Sequence, residues 1–129
     1  MKHTGYIVFA HGSSVESAND AVRAVAADLA RQGRYEAVEA AFLESGKPDL
    51  RGAVDLLVGC GIAHIVVIPY FLTLGMHLQR DLPRLVEEIR AVHLSLEMQV
   101  TPPLDGHPAM LEALLGRARE ARAREAQAT

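Results

Sequence analysis

The chain has 129 residues, of which 50% are hydrophobic and 22% are charged, and its formal net charge is −3 at pH 7. These values are typical of one globular domain spanning residues 1–129, and the weak negative charge argues against nucleic acid or an anionic membrane as the main partner. The single cysteine, Cys60, excludes an internal disulfide, and the apolar run near the start is too short for a signal peptide or a membrane span. We therefore expect a cytoplasmic protein.

The first half of the chain predicts two strands and two helices. Residues 6–10 form a continuous apolar run, YIVFA, which is typical of a central strand. Ser13 or Ser14 is expected to cap the helix that follows. Residues 36–44 alternate in polarity and predict an edge strand, after which Asp49 is expected to cap a short helix.

One stretch in the second half organises the rest of the chain. Residues 65–68, IVVI, are apolar and β-branched without interruption, which predicts a strand buried on both faces. A loop containing Gly75 follows, and apolar residues then recur at helical spacing, so His77 stands at or near the start of a helix. Residues 94–100 alternate and predict a second edge strand. A last helix follows, and we expect its tail to fray from about residue 117.

The elements therefore alternate as βαβαβαβα. Right-handed crossovers give a parallel sheet with helices on both faces. With the two apolar strands central and the two alternating strands at the edges, the order is 2-1-3-4, a doubly wound, flavodoxin-like α/β fold. The topological switch point, where such sheets bind ligands, lies between strands one and three. His11 and His77 follow these two strands, so we expect both at one crevice.

The residues at this edge of the sheet favour a metal and an anionic ligand. A lone histidine is more often a turn or helix-start residue, but two at a switch point suit a divalent transition metal. Glu44, on the same edge, offers an oxygen ligand or a proton acceptor. Each nearby basic residue taken singly is more often simply solvated, but together they favour a ligand with several carboxylates; they are Lys47, Arg51, Arg80 and Arg84. No dinucleotide fingerprint, Walker A sequence or nucleophile elbow is present.

Three segments carry a family resemblance: FAHGS at 9–13, AFLE at 41–44 with Lys47 and Pro48 beyond it, and PYFLTLGMH at 69–77 followed by RDLP. Together they make the chain resemble the small type of sirohydrochlorin chelatase, the CbiX-like class II chelatases, from about residue 5 to about residue 115. The resemblance implies a chelatase-like fold. It also implies insertion of divalent cobalt, iron or nickel into sirohydrochlorin, a tetrapyrrole with many carboxylates, in cobalamin or sirohaem biosynthesis.

The resemblance also implies roles for individual residues. His11 is the proton acceptor and a metal ligand, and His77 is a second metal ligand. Substrate contacts fall on Lys47 and on the loop that ends at His77, which comprises Leu72, Thr73, Leu74, Gly75 and Met76. Glu44, Arg80 and Arg84 are additional candidates from their position. The metal is a substrate, and no permanently bound cofactor is expected.

The resemblance bears on assembly as well. Larger chelatases of this superfamily resemble two such halves in one chain. We therefore expect a homodimer, the commonest oligomer, that brings four histidines to a shared cavity. The alternative is a monomer whose loop packs on its own helices.

Two further questions stay open at the level of the sequence. A non-catalytic carrier of metal or tetrapyrrole on the same fold would show the same residues. Two imidazoles bind cobalt, nickel, iron and zinc alike, so the physiological metal and the pathway are not determined. A response-regulator-like domain is disfavoured, because it needs an acidic cluster where this chain has His-Gly-Ser.

Overall fold

The structure, a computed structural model, describes residues 3–128. Within this range four strands alternate with four helices, as the sequence predicts. The strands are β1 (Thr4–Ala10), β2 (Val38–Phe42), β3 (His64–Pro69) and β4 (Glu97–Val100), and the helices are α1 (Glu16–Gly33), α2 (Leu50–Gly59), α3 (Met76–Val92) and α4 (Pro108–Ala128). None of these described helices is long and apolar enough to cross a membrane.

The four strands form one parallel sheet in the order β2-β1-β3-β4. This confirms the predicted order, with β2 and β4 at the edges. Ala10 at the end of β1 pairs with Phe42, and Phe9 pairs with Pro69 of β3. The three strands therefore end side by side, and the loops that follow them share the carboxyl edge of the sheet.

Helices lie on both faces of the sheet, as predicted. Side chains of β1 alternate between two apolar clusters: Ile7 and Phe9 pack with α2 and α3, whereas Val8 and Ala10 pack with α1. Each large apolar side chain that is fully buried stabilises the fold by about 1.5–3 kcal/mol. The larger cluster also takes in Ala41, Leu50, Val54, Leu57, Ile65, Val67, Leu82, Val86 and Ile89.

The prediction that β3 is buried on both faces is wrong. Ile65 is buried, whereas Val66 and Ile68, which point to the other face, are only half-buried. On that face α1 covers β1 and β2, and neither apolar cluster includes a described residue of α4. The leucines of α4 are largely exposed, with Leu111 at 60% and Leu114 at 67%. The helix itself is continuous through the tail that we expect to fray.

The predicted serine cap of α1 is also wrong. The helix begins at Glu16, and its N-cap is Val15, which makes no side-chain capping bond. The hydroxyl of Ser13 instead accepts a hydrogen bond from the N–H of Val15, at 3.0 Å. The loop therefore contains more residues than a cap at Ser13 or Ser14 would allow.

Both edge strands are shorter than predicted. β2 ends at Phe42, after which the chain turns with Ser45 in the left-handed region at φ 55°. β4 begins at Glu97, and Leu94, which the alternation assigned to the strand, is 88% exposed. The cap of α2 is confirmed, because the carboxylate of Asp49 accepts a hydrogen bond from a backbone N–H in the first turn at 2.8 Å.

Candidate active site

His11 and Glu44 meet at the carboxyl edge of the sheet. His11 directly follows β1, and its Nε2 lies 3.5 Å from Oε1 of Glu44, with the two side chains 61% and 63% exposed. Nδ1 of His11 is 3.2 Å from the carbonyl oxygen of Gly12. The contact with Gly12 assigns the proton of the neutral ring to Nδ1, which donates to that carbonyl. The lone pair of Nε2 then points toward the carboxylate of Glu44. Two facing acceptors are stabilised when a proton or a cation lies between them.

Backbone contacts hold the loops of these two residues together. The N–H of Glu44 donates to the carbonyl of His11 at 3.0 Å, and the N–H of Leu43 donates to the carbonyl of Ala10 at 2.9 Å. Gly12, directly after His11, has a positive φ of 92°. A Cβ on Gly12 would overlap the carbonyl oxygen of Glu44 in the other loop. Only glycine fits both requirements, which explains the glycine of the His-Gly-Ser sequence.

His77 lies at the start of α3, two residues after the N-cap Gly75, as predicted. Its exposed ring places Nδ1 3.3 Å from a terminal nitrogen of Arg80. A guanidinium only donates hydrogen bonds, so Nδ1 accepts and a neutral ring carries its proton on Nε2. Both histidines lie at the carboxyl edge, after the neighbouring strands β1 and β3, but each contacts a different partner. Among the described residues, no group of three or more His, Cys, Asp or Glu side chains could hold a metal ion.

The loop from β3 to α3 presents apolar side chains to solvent. Leu72 and Met76 are 63% and 81% exposed, and Thr73 and Gly75 are exposed as well. Leu74 differs, because it is half-buried and packs against the core. The first N–H groups of α3 have no partner within the helix, so this end of the helix can bind a negatively charged group.

Two shallow grooves meet beside Glu44. Lys47 and Glu44 line a groove of about 530 Å³, and Arg84 lines a second groove of about 320 Å³. Leu43 lines both grooves. Lys47 and Arg84 therefore lie in grooves on the two sides of Leu43. Arg51 instead forms an ion pair with Glu88 of α3.

The sequence gives no sign of two residues of α1 that contact this region. Asn19 is 1% exposed and hydrogen-bonds Ser13 in the loop of His11 and Ser45 in the loop of Glu44. Arg23 donates to the carbonyl of Lys47 at 3.0 Å and to the carboxylate of Glu16 at 2.6 Å. The bond from Arg23, with a second from Asn19, lowers the pKa of Glu16. Asn19 and Arg23 belong to no recognisable sequence motif, and their partners Ser45 and Lys47 are distant in sequence. These contacts are therefore visible only in the folded chain.

A parallel sheet in the order 2-1-3-4 with helices on both faces, and a histidine–carboxylate pair at its switch point, define a doubly wound α/β protein of the chelatase-like class. Residues 5–121 match the model of the CbiX family. The chain belongs to the CbiX family.

Individual relatives agree with this assignment. A sirohydrochlorin cobaltochelatase of Saccharolobus solfataricus is 31% identical over 122 residues, which cover 90% of this chain and 94% of that protein. A chloroplastic sirohydrochlorin ferrochelatase of Arabidopsis thaliana is 28% identical over 85% of this chain, but over only 49% of its own length. Among solved structures, a CbiX protein of cobalamin biosynthesis from Marinobacter aquaeolei has a TM-score of 0.83 at 26% identity, covering 94% of this chain and 98% of that one.

Proposed function

We propose that this chain is a sirohydrochlorin chelatase, an enzyme that inserts divalent cobalt, iron or nickel into sirohydrochlorin. The observation that carries the proposal is the pair of His11 and Glu44, whose facing Nε2 and Oε1 atoms lie 3.5 Å apart at the switch point. The names of the relatives support the substrate, and they include both a cobaltochelatase and a ferrochelatase. Membership in the CbiX family supports the reaction class.

The reaction needs a proton acceptor beside the metal. Two pyrrole N–H protons leave the tetrapyrrole as the divalent ion forms its bonds to the ring nitrogens. Nε2 of His11 carries the only free lone pair of the ring, so it holds the ion first and accepts a proton only after the ion has moved to the ring nitrogens of the substrate. The imidazolium formed then faces the carboxylate of Glu44, which stabilises the charged form and receives the proton on its way to water.

His77 is the second metal ligand in this proposal. Its Nδ1 accepts a hydrogen bond from Arg80 in the structure, so that nitrogen becomes available for a metal only when the guanidinium turns away. A substrate carboxylate is a stronger partner for the guanidinium than a neutral imidazole. Binding of the substrate at Arg80 therefore frees His77 for the ion, which places metal capture after substrate binding.

The remaining contacts follow from the chemistry of the substrate. Its carboxylates contact Lys47, Arg84 and the free N–H groups at the start of α3. Its flat apolar centre lies against the exposed side chains of Leu72 and Met76, with the rest of that loop beside it, namely Thr73, Leu74 and Gly75. The divalent ion enters as a substrate, and the enzyme holds no permanent cofactor.

Turnover separates this proposal from a carrier on the same fold. Protein at one-hundredth of the sirohydrochlorin concentration is mixed with Co²⁺, Fe²⁺ or Ni²⁺ in turn, and metallation is followed by the absorbance change. An enzyme converts the whole excess, whereas a carrier stops at stoichiometric binding. The control is His3→Ala, because His3 precedes β1 at the opposite edge of the sheet. Conversion that stops at one equivalent with every metal would reject the enzyme.

We further propose that the working unit is a homodimer. Leu111 and Leu114 of α4 are exposed, and Val66 and Ile68 on one face of β3 are only half-buried. One chain therefore offers both an unpacked apolar helix and an uncovered sheet face, which soluble monomers tend to avoid. A second copy supplies the complement of each, and two-fold symmetry satisfies both contacts at once.

Light scattering tests the assembly. We expect a mass near twice 14.0 kDa at micromolar protein, and a monomer for the double variant Leu111→Glu with Leu114→Glu. The matched control is Leu94→Glu, which changes a leucine that is 88% exposed outside α4 and should leave the mass unchanged. A wild-type mass near 14.0 kDa, with activity linear in protein down to nanomolar concentration, would exclude the dimer.

We also propose a cytoplasmic location. The support is the cysteine content, since the single cysteine, Cys60, has no partner in the chain for a disulfide and free thiols are typical of reducing compartments. A fluorescent fusion or fractionation of cells tests the location, and recovery of the protein outside the cytoplasm would contradict it.

A further inference from the structure

Asn19 is the only polar or charged side chain that is buried in the described part of the chain, at 1% exposure. It belongs to the first turns of α1 and lies between two loops of the carboxyl edge. A buried amide that lacks partners is costly, and in the described residues no buried side-chain nitrogen or oxygen is without a hydrogen bond. The partners of Asn19 therefore show what its burial achieves.

The amide of Asn19 bonds to both loops. Its Oδ1 accepts from the N–H of Ser13 at 2.9 Å, and its Nδ2 donates to the carbonyl of Ser13 at 2.8 Å. The same Nδ2 donates to the carbonyl of Ser45 at 3.1 Å and, less closely, to the carboxylate of Glu16 at 3.4 Å. One side chain thus joins the loop after β1 to the loop after β2.

These loops carry the two groups that face each other in the site. His11 lies two residues before Ser13, and Glu44 is directly before Ser45. From the strand side, the N–H of Glu44 donates to the carbonyl of His11 at 3.0 Å. Asn19 holds the far side of both loops. The backbone that carries His11 and Glu44 is therefore held from two sides, once by the bond between the two loops and once by Asn19.

A role as an ordinary helix cap does not explain these bonds. The N-cap of α1 is Val15, four residues earlier, and the bond from Asn19 to Ser45 crosses 26 positions of sequence. Arg23, one turn further along α1, donates to the carbonyl of Lys47 in the same second loop at 3.0 Å. The polar side of α1 is thus directed at the loop of Glu44.

We propose that Asn19 is a positioning residue for metal insertion, which sets the separation of His11 and Glu44 without touching the substrate. This inference rests on the proposed chelatase function. A displacement of about 1 Å in a reacting pair can reduce a rate by up to about a hundredfold, whereas contacts to the substrate lie elsewhere on the edge. Loss of Asn19 should therefore lower kcat and leave KM for sirohydrochlorin nearly unchanged.

The test is Asn19→Asp, which keeps the shape of the side chain and removes both N–H donors. We expect kcat to fall at least tenfold and KM for sirohydrochlorin to change less than twofold, measured well below the melting temperature. The stability control is Ile89→Ala, which removes packing in the cluster on the other face of the sheet. The local control is Ser17→Ala, an exposed neighbour in α1. Both controls should keep kcat within twofold.

Amide hydrogen exchange gives a readout that does not depend on activity. In Asn19→Asp, the N–H groups of Leu43 and Glu44 should exchange at least tenfold faster, and in Ile89→Ala they should not. If Asn19→Asp does not fold, Asn19→Ser, which keeps one donor and one acceptor, is measured in the same way.

Each outcome is decisive. Unchanged kcat in a folded Asn19 variant, or an equal loss of kcat in Ile89→Ala, would overturn the positioning role. If the wild-type protein does not metallate sirohydrochlorin, the proposed function fails. In that case the exchange experiment still decides whether Asn19 holds the two loops, because unchanged exchange at Leu43 and Glu44 would overturn that claim alone.

Discussion

The two histidines of the site have different surroundings. His11 lies in a loop whose backbone is bonded to the loop of Glu44 and which α1 holds through a buried amide. His77 lies in an open first turn, next to exposed Leu72 and Met76, and its ring contacts only the exposed Arg80 among the hydrogen bonds described. The loop of His11, the proposed proton acceptor, is therefore bonded to its neighbours through backbone and a buried amide, whereas no such bonds hold the side of the turn that carries His77, the proposed second metal ligand, among the hydrogen bonds described.

The loop before His77 is held in a different way. The carbonyl of Phe71 accepts a hydrogen bond from the N–H of Leu104 at 2.9 Å, and the carbonyl of Leu72 accepts one from the N–H of Asp105 at 2.8 Å. Both donors lie in the loop between β4 and α4. These are backbone bonds between two surface loops, without a buried side chain. Fixed geometry is most valuable where a proton moves, whereas a ligand that must pass its metal on to the product needs access. If the two histidines have the proposed roles, changes at His11 should lower the rate, whereas changes at His77 should lower the affinity for metal.

The largest expected effect is that of His11→Ala. We expect metallation to fall by about 10²–10⁴-fold, the usual contribution of a general base, with the fold intact because the side chain is exposed. The measurement is turnover of sirohydrochlorin together with circular dichroism. Turnover like that of the wild type in a folded His11→Ala protein would remove the assignment.

His77→Ala should act on metal capture instead. We expect KM for the divalent ion to rise about 10- to 100-fold, with a smaller change in kcat at saturating metal, because the base remains in place. Titration with Co²⁺ in the presence of substrate measures the affinity. If metal affinity is kept and only the rate is lost, the roles of the two histidines are the reverse of those proposed here.

Glu44→Gln tests whether the charge of Glu44 assists His11 in the reaction. The amide keeps the size of the side chain but no longer carries the charge that stabilises an imidazolium at Nε2 of His11. We expect kcat to fall about tenfold, with KM for the metal changed less than in His77→Ala. A larger effect on metal affinity than on rate would make Glu44 a metal ligand rather than a partner of His11.

Much of the fold could be predicted, because hydrophobic periodicity determines which strands are central. The apolar runs around Ile7 and Val67 and the alternating edges give the order 2-1-3-4, and the switch point then follows. The prediction for β3 failed on Val66 and Ile68. An apolar run shows that side chains avoid water, but it does not show whether a helix of the same chain covers them.

The site could be predicted only in part. The position of His11 and His77 at the carboxyl edge could be predicted, because both follow central strands. The contact of His11 with Glu44 depends on how far β2 extends, which sequence patterns define poorly. Asn19 was missed, because its bonds reach a loop 26 residues away and no local pattern reports such a contact.

Charge reversal at Arg80 or Arg84 should have a moderate effect on substrate affinity. Both residues are exposed, and exposed charge pairs contribute about 0.2–1 kcal/mol, so we expect KM for sirohydrochlorin to rise about fivefold with less change in kcat. The control is Arg90→Glu in the last turn of the same helix. Unchanged KM in both Arg80→Glu and Arg84→Glu would place these residues outside the site.

The smallest expected effect concerns the pH dependence of the region that holds His11. The hydrogen bond from Arg23, and then that from Asn19, lowers the pKa of Glu16 from its ordinary value of 4.5. A carboxyl whose pKa is lower in the folded state stabilises the fold above its unfolded pKa, and this contribution is lost as the pH falls through the folded pKa. Glu16→Gln should therefore melt slightly below the wild type at pH 7, and the difference should shrink as the pH falls below 4.5 and through the lowered pKa of the folded state.

The matched control for this prediction is Glu36→Gln, an exposed carboxylate just before β2. The measurement is the melting temperature of the three proteins between pH 7 and pH 3. A gap between wild type and Glu16→Gln that stays constant with pH would show that the carboxylate charge does not stabilise this region. Because Glu16 shares Arg23 and Asn19 with the loops, lowering the pH should reduce the protection factor of the Glu44 amide, which corrects for the slower intrinsic exchange in acid, more than that of the Leu104 amide. An equal loss of protection at both would mean that the two loops are held alike, contrary to the comparison of His11 and His77.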